Sequence, residues 1–102
     1  MGDGSLVKMN VGDNVTAASN TTITIRCPVS GVPKPSVTWQ RNGIQITEGS
    51  RFSIGYDNTL VIKGAISQDS SKYTCTVQSE FGKDNTSSTV LIIGMLWQIV
   101  MF

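Results

Sequence analysis

Apolar residues alternate with polar ones through much of the chain, and they nowhere recur at helical spacing for more than one turn. In the segment 22–27 every second residue is Ile or Cys, and Thr or Arg stands between them. The segment 36–40 repeats this alternation with Val37 and Trp39 on one side. Successive side chains of a strand point to opposite faces, so both segments are predicted to be strands with one buried face.

Turn-forming residues divide the rest of the chain into further short strands. Asn42 and Gly43 favour the positive φ angles of a tight hairpin, and a strand is expected to follow over 44–47. Turn signals recur about every 8 to 12 residues, which is typical of a β-sandwich or small barrel of about seven strands. We therefore predict an all-β fold whose later strands pair around turns at 55–58 and 80–83, and these strands cover 51–54, 59–62, 72–79 and 87–93.

Composition and charge narrow the range of functions. The chain has 102 residues, enough for one domain with one core. Eight Lys and Arg against seven Asp and Glu give a net charge of +1, so no concentrated field attracts nucleic acid or an anionic membrane. No His is present, and the acidic residues stand singly in turns. We expect no enzyme activity, and no catalytic, cofactor or metal site.

Cys27 and Cys75 are the two cysteines, 48 positions apart. Two cysteines are too few for a structural zinc site, which takes four ligands, and their spacing is not that of a C-x-x-C redox motif. From the residues alone, either one long-range disulfide or two buried thiols remains.

The residues around the cysteines resemble those of a known family. Cys27, Trp39 and Cys75 share the inward parity on three different strands, and Tyr73 stands two residues before the second Cys. The run 69–75 resembles the D-x-G-x-Y-x-C motif of the immunoglobulin superfamily, with Ser in place of the usual Gly. The segment 31–39, the pair 42–43, the run 60–62 and the pair 81–82 resemble the I-set (intermediate) class in particular.

The resemblance implies a Greek-key sandwich, antiparallel apart from a parallel pairing of the first edge strand with the last. It also implies an inter-sheet disulfide, a Trp packed on it, a Tyr hydroxyl bonded to upstream backbone, and an Arg–Asp pair at one edge. The residues given these roles are Cys27 and Cys75 for the disulfide, and Trp39, Tyr73, Asp69, Arg51 and Leu60 for the core signature.

The same resemblance implies an extracellular interaction or adhesion module of a larger secreted matrix or cell-surface glycoprotein, such as the ADAMTS-like and papilin group. Protein partners or neighbouring immunoglobulin-like domains are then expected. The alternative is a structural spacer of the kind found in intracellular giant muscle proteins, where the cysteines stay reduced.

One sheet face is a candidate for contact with a partner. Polar, uncharged side chains share the outward parity of two neighbouring strands, and a neutral polar face costs little to desolvate. The alternative is an ordinary solvated face, and the aromatic residue at the nearby turn either anchors a partner or folds back on the sandwich. The residues of this candidate partner face are Thr38, Gln40, Thr74, Thr76, Gln78 and Phe81.

Three acceptor patterns for N-linked glycan occur, at Asn14, Asn20 and Asn85. Each is expected to lie near a strand end on the surface, and each would be modified only in a secreted source. By chance, a Ser- and Thr-rich chain of this length produces one or two such patterns, so their number is a mild excess.

The domain is expected to span residues 5–93. Residues 1–4 show no leader signal and are interpreted as a fragment start, and residues 94–102 as an apolar tail. The tail is too short to cross a bilayer, which takes about 20 residues. It either packs on its own domain, acts as a sticky end, or pairs with a second copy, and we favour self-association through Trp97, Ile99, Val100 and Phe102.

Overall fold

Residues 5–94 are described by the computed structural model, and they form two packed β-sheets, as predicted for an immunoglobulin-like sandwich. The four-stranded sheet has the order β1-β3-β7-β6 and the five-stranded sheet the order β2-β9-β8-β4-β5. A 3₁₀ helix, Ser67–Asp69, precedes β8. The strands are β1 (Leu6–Asn10), β2 (Val15–Ala18), β3 (Thr22–Arg26), β4 (Ser36–Arg41), β5 (Ile44–Gln45), β6 (Phe52–Ile54), β7 (Leu60–Ile62), β8 (Ser71–Ser79) and β9 (Gly82–Ile93).

The core lies between the inner faces of the two sheets. Its members are the apolar residues at alternate positions of the central strands, as the period-two pattern requires. Burial of these side chains is the main source of stability of such a sandwich. The buried cluster consists of Ile23, Ile25, Cys27, Trp39, Leu60, Ile62, Ala65, Tyr73, Cys75, Val90 and Ile92.

A disulfide joins the two sheets through this core. Cys27 directly follows β3 and Cys75 lies on β8, and the two sulfurs are bonded, with the Cα atoms 6.4 Å apart. The disulfide prediction is thus confirmed. Trp39 stands opposite Cys75 in the β4–β8 register and belongs to the same buried cluster. Its indole Nε1 donates a hydrogen bond of 3.0 Å to the Asn58 carbonyl, so the buried polar atom of this side chain is satisfied.

The N-terminal segment differs from the expectation of a single parallel pair. In addition to β2, which runs parallel to β9, β1 runs parallel to β3. A turn after β1 reverses the chain, where Gly12 has φ 105° and the Asp13 N–H donates to the Asn10 carbonyl at 3.1 Å. The first edge strand is therefore two strands, one on each sheet. The described residues accordingly contain nine strands, where about seven were predicted.

Because of the same reversal, the first and the last described residues lie close to the same turn. The Ser5 carbonyl accepts a hydrogen bond of 2.8 Å from the Thr22 N–H, and the Ile93 carbonyl accepts one of 2.9 Å from the Ser19 N–H. Both ends therefore lie at the same end of the sandwich, beside the turn that joins β2 to β3.

Two strand boundaries differ from the predictions by more than one residue. β9 begins at Gly82 and not at residue 87, because its ladder with β8 continues to the Ser79–Gly82 pair. The strand after the Asn42–Gly43 turn ends at Gln45 and not at residue 47. Beyond the Ile46 N–H, which still donates to the Trp39 carbonyl at 2.9 Å, the chain crosses to the other sheet.

Candidate protein-interaction face

The outer side of the five-stranded sheet carries the predicted polar face. In the β4–β8 register Thr38 pairs with Thr76 and Gln40 pairs with Thr74, and Gln78 follows one pair further along. We use the term polar face for these five residues. The structure places them on adjacent strands with the same outward orientation, since each is displaced by one position from a core residue.

Side-chain hydrogen bonds order the centre of this face. Thr76 Oγ1 donates to Gln40 Oε1 at 2.8 Å, and Gln40 Nε2 donates to Thr38 Oγ1 at 3.0 Å. The Gln40 amide thus bridges two threonines on two strands. A partner that contacts side chains already held in this way loses less conformational entropy on binding.

The polar face extends onto a third strand, β9, whose residues were not assigned to this face from the sequence. In the β8–β9 register Lys83 pairs with Gln78, Asn85 with Thr76, and Ser87 with Thr74. The hydroxyls of Thr74 and Ser87 share a hydrogen bond of 2.8 Å. Lys83 and Asn85 were missed because no apolar alternation marks β9 before residue 88, although their parity with Ser87 would have placed them once the strand was recognised.

Phe81 lies beyond the end of these rows, at the turn between β8 and β9. Its side chain is 83% exposed and does not fold back over the sandwich. The backbone there is fixed by a hydrogen bond of 3.1 Å from the Phe81 N–H to Ser79 Oγ. An exposed aromatic side chain on an ordered turn is the type of residue that anchors protein interfaces.

A buried carboxylate holds the two sheets together at the opposite end of the polar face. Arg51 donates two hydrogen bonds to Asp69, and the Ile66 N–H donates a third at 2.9 Å. Burial by itself raises the pKa of the Asp69 carboxyl. The hydrogen bonds from Arg51 and Ile66 and the charge of Arg51 outweigh this, and the net pKa lies below its ordinary value. The hydrogen bond with Asp69 in turn raises the pKa of Arg51.

Tyr73 completes this corner. Its hydroxyl donates to the Asp69 carbonyl at 2.5 Å, in the arrangement that the resemblance implied. Burial raises the pKa of Tyr73 to about 12, so the hydroxyl keeps its proton and remains a donor at neutral pH.

Arg41 is a residue that the sequence analysis overlooked. Its Nε donates to Ser71 Oγ at 3.1 Å, its guanidinium also donates to the Gln68 carbonyl, and it stands 4.0 Å from Asp69. Arg41 and Arg51 approach the ring of Phe52, at 5.7 and 5.4 Å from its centre. The alternation Val37, Trp39, Arg41 already gave Arg41 the inward parity. Its contacts are structural, and it borders a shallow groove of about 300 Å³.

The three glycan acceptor patterns lie at different places, and all three Asn side chains are exposed. Asn14 precedes β2, and its Oδ1 accepts a hydrogen bond of 2.8 Å from the Thr89 N–H. Asn20 occupies the turn between β2 and β3 with φ 77°. Asn85 lies on β9.

Residues 5–94 contain neither a cluster of metal-ligating side chains nor a membrane-spanning helix. In that part of the chain no three Cys, Asp or Glu side chains come together as metal ligands. Nor does it contain a helix that is long and apolar enough to cross a bilayer. The predicted self-association residues of the tail, Trp97, Ile99, Val100 and Phe102, lie outside the described residues.

The inter-sheet disulfide, the Trp opposite it and the Tyr corner bond together define an immunoglobulin-like β-sandwich. Comparison with known proteins identifies the subgroup. The chain belongs to the immunoglobulin I-set domain family, which matches residues 7–92. The resemblance inferred from the sequence is therefore confirmed.

Two relatives of this chain contain a similar segment within a much longer protein. It is 31% identical over 81 residues to a vascular endothelial growth factor receptor kdr-like protein of Danio rerio, covering 79% of this chain and 6% of the relative. It is 31% identical over 91 residues to human ADAMTS-like protein 1, covering 88% of this chain and 5% of the relative. The chain thus spans a small fraction of these relatives.

Among solved structures, titin domain M7 is similar to this chain, with a TM-score of 0.74 and 27% sequence identity. The match covers 81% of this chain and 88% of that one.

Proposed function

We propose that the chain is a non-enzymatic interaction module of a larger extracellular matrix or cell-surface glycoprotein, and that the polar face with Phe81 contacts its protein partner. The observation that carries this proposal is the Thr76–Gln40–Thr38 chain of hydrogen bonds. Side chains that satisfy one another lose few bonds to water when a partner covers them. The five residues that define the polar face are uncharged, and Lys83 stands at its border, so burial of its centre avoids the larger cost of desolvating ions.

Two observations support an extracellular setting. The Cys27–Cys75 bond is a structural disulfide, and such bonds persist in oxidising compartments. The relatives include ADAMTS-like proteins 1 and 3, which agrees with the host group that the sequence suggested.

The likeness to titin M7 favours a second candidate, an intracellular structural spacer. In that setting the cysteines are reduced and the three acceptor patterns stay unmodified. Mass spectrometry of protein from its native source, alkylated in denaturant before reduction and with a second reagent after reduction, separates the two candidates. A closed bridge supports the extracellular module, and two free thiols support the spacer.

The partner face is tested by binding of a tagged, disulfide-bonded form of the domain that carries no N-linked glycan to decellularised extracellular matrix. Untagged wild-type domain is the competitor, and Thr76→Arg places a charged side chain in the middle of the polar face. The matched control is Thr24→Arg, at an outward position of the other sheet. We expect Thr24→Arg to compete like wild type and Thr76→Arg to compete at least about tenfold more weakly. Equal competition by the two variants, or no saturable binding, overturns the proposal.

A further inference from the structure

We propose that an N-linked glycan on Asn85 covers the polar face and thereby controls its availability to a partner. This inference rests on the proposed function, since it assigns a regulation to the same face. It follows from the β8–β9 register, which the sequence alone did not provide.

Asn85 occupies the middle of three cross-strand rows. It pairs with Thr76, and Thr76 pairs with Thr38, so the three residues form one line across β9, β8 and β4. Neighbouring strands are about 4.8 Å apart, which places the backbone of Asn85 about 5 Å from that of Thr76 and about 10 Å from that of Thr38. A sugar attached to Asn85 therefore begins beside the centre of the polar face.

The side chain of Asn85 has the orientation that this role requires. It shares its parity with Ser87, whose hydroxyl reaches Thr74 on the outer side of the sheet. Asn85 is exposed, so the fold accommodates a substituent on its amide without moving a core residue. The acceptor pattern is completed by Thr86 and Ser87.

The other two acceptor residues lie outside the three cross-strand rows of the polar face. Asn14 stands at the far side of β9, beside Thr89. Asn20 lies at the end of the sandwich where its N–H donates to the Ala65 carbonyl. Glycans at these two positions start at the β2 edge and at the end of the domain, respectively.

The modification needs a lipid-diphosphate-linked oligosaccharide as donor. The Asn85 amide nitrogen forms a bond to the anomeric carbon of the first sugar and gives its proton to solvent. The bond from that carbon to the diphosphate breaks, and the lipid diphosphate leaves with the electron pair. The product has a bulky, hydrophilic chain beside the polar face. Because Thr76 donates to Gln40 and Gln40 donates to Thr38, fewer polar groups lose a bond to water when the glycan covers these side chains.

The test uses the domain secreted from mammalian cells with a glycan at one position only. Asn14→Asp and Asn20→Asp together leave Asn85 as the sole acceptor. Aspartate preserves the oxygen that accepts from Thr89 and tolerates the positive φ of residue 20. The matched form carries Asn85→Gln in the same background and has no glycan, and glutamine adds no charge to the face. Intact mass establishes the occupancy of each form.

Coverage is measured by the rate of maleimide labelling at an introduced thiol. Gln78→Cys reports on the polar face, and Lys63→Cys, an exposed position after β7 of the other sheet, is the control. We expect the Asn85 glycan to slow labelling at residue 78 several-fold and to leave labelling at residue 63 unchanged. Equal rates at residue 78 with and without the glycan, or a secreted protein whose Asn85 carries none, overturn the inference.

Matrix binding by the same two forms separates this inference from the proposed function. If the glycan-free form binds matrix through a Thr76→Arg-sensitive contact and labelling does not depend on the glycan, the proposed function stands and the inference fails. If labelling shows coverage while neither form binds, coverage by the glycan stands but the regulatory role fails together with the proposed function.

Discussion

Arg51 holds the buried carboxylate of Asp69 through two hydrogen bonds, from Nη1 to Oδ2 at 2.7 Å and from Nη2 to Oδ1 at 3.1 Å. Arg51 directly precedes β6 of the four-stranded sheet, and Asp69 lies just before β8 of the five-stranded sheet. Asp69 also receives hydrogen bonds from Ile66 and Tyr73. A single acidic residue therefore connects both sheets and the 3₁₀ helix.

Replacing this carboxylate is expected to destabilise the domain. The Asp69 side chain is 1% exposed, whereas Arg51 is 37% exposed, so water screens the pair from one side. We predict that Asp69→Asn lowers the free energy of unfolding by about 2 kcal/mol, below the 3–5 kcal/mol of a fully buried pair. Urea unfolding measures this change. Glu80→Gln, at an exposed acidic residue, is the matched control, and equal midpoints for the two variants contradict the prediction.

The same carboxylate predicts a dependence of stability on acid pH. Because the folded pKa of Asp69 lies below its ordinary value of 3.8, the stabilisation is complete above that value and is lost as pH falls through the folded pKa. The difference in unfolding free energy between wild type and Asp69→Asn should therefore be constant from about pH 7 to pH 5 and shrink below about pH 4. A difference that stays constant down to pH 2 would exclude Asp69 as its source.

Removal of one hydroxyl tests the Tyr73 corner. We predict that Tyr73→Phe costs about 0.5–1.5 kcal/mol, because the Asp69 carbonyl loses its buried donor. Tyr56→Phe is the control, since Tyr56 is fully exposed, and its thermal midpoint should equal that of wild type. If both variants have the same thermal midpoint as wild type, the corner hydrogen bond contributes nothing to stability.

Tyr73 should also limit stability at alkaline pH. The unfolded chain releases the phenol proton near pH 10, whereas the folded chain keeps it to about 12. Deprotonation of the unfolded chain then lowers the stability of wild type between these two values, and Tyr73→Phe lacks this component.

The disulfide is expected to supply a large part of total stability. Closing a loop of this length stabilises a domain by about 4 kcal/mol on the loop-entropy model, and removal of such a bond costs about 2–5 kcal/mol. We predict this loss for Cys27→Ala with Cys75→Ala, measured by urea unfolding. The reduced wild type should show a comparable loss, and a loss below about 1 kcal/mol in both would contradict the prediction.

Deletion of residues 95–102 tests the predicted self-association of the apolar tail. We expect the shortened domain to be monomeric by light scattering and to keep its fold, because the last core residue within residues 5–94 is Ile92. An unchanged mass rejects association through the tail. A melting temperature lowered by more than about 8 °C would indicate that the tail packs on its own core.

The sequence predicted those strands in which one face is buried, because burial leaves an alternating pattern of apolar and polar residues. Trp39, Tyr73 and Cys75 were placed on inward faces because one buried face imposes a period of two. The start of β9 was not found, since Lys83 and Asn85 lie where both strand faces are polar and backbone pairing alone defines the strand. The chain reversal at Gly12 was not predicted, for a similar reason. It depends on a positive φ and on a contact with Ser88, which is distant in sequence.

The same limit explains what was missed in the candidate site. Thr38, Gln40, Thr74, Thr76 and Gln78 could be grouped by parity once two strands were recognised as neighbours. The bridge through the Gln40 amide could not, because it depends on side-chain rotamers that alternation does not specify. Arg41 had the inward parity of Val37 and Trp39. Its structural role could not be predicted, because the sequence does not show that the Asp69 carboxylate lies 4.0 Å from it.

The position of the disulfide limits how far this domain can extend under mechanical load. If a force acts between residues 5 and 94, the chain between Cys27 and Cys75 cannot lengthen while the bond is closed. Complete unfolding then releases only the segments outside the bond, roughly 140 Å of extended chain in place of roughly 310 Å for the reduced domain. The redox state of the Cys27–Cys75 pair thus determines the maximum extension of the domain under tension, which is more than twice as long when the pair is reduced.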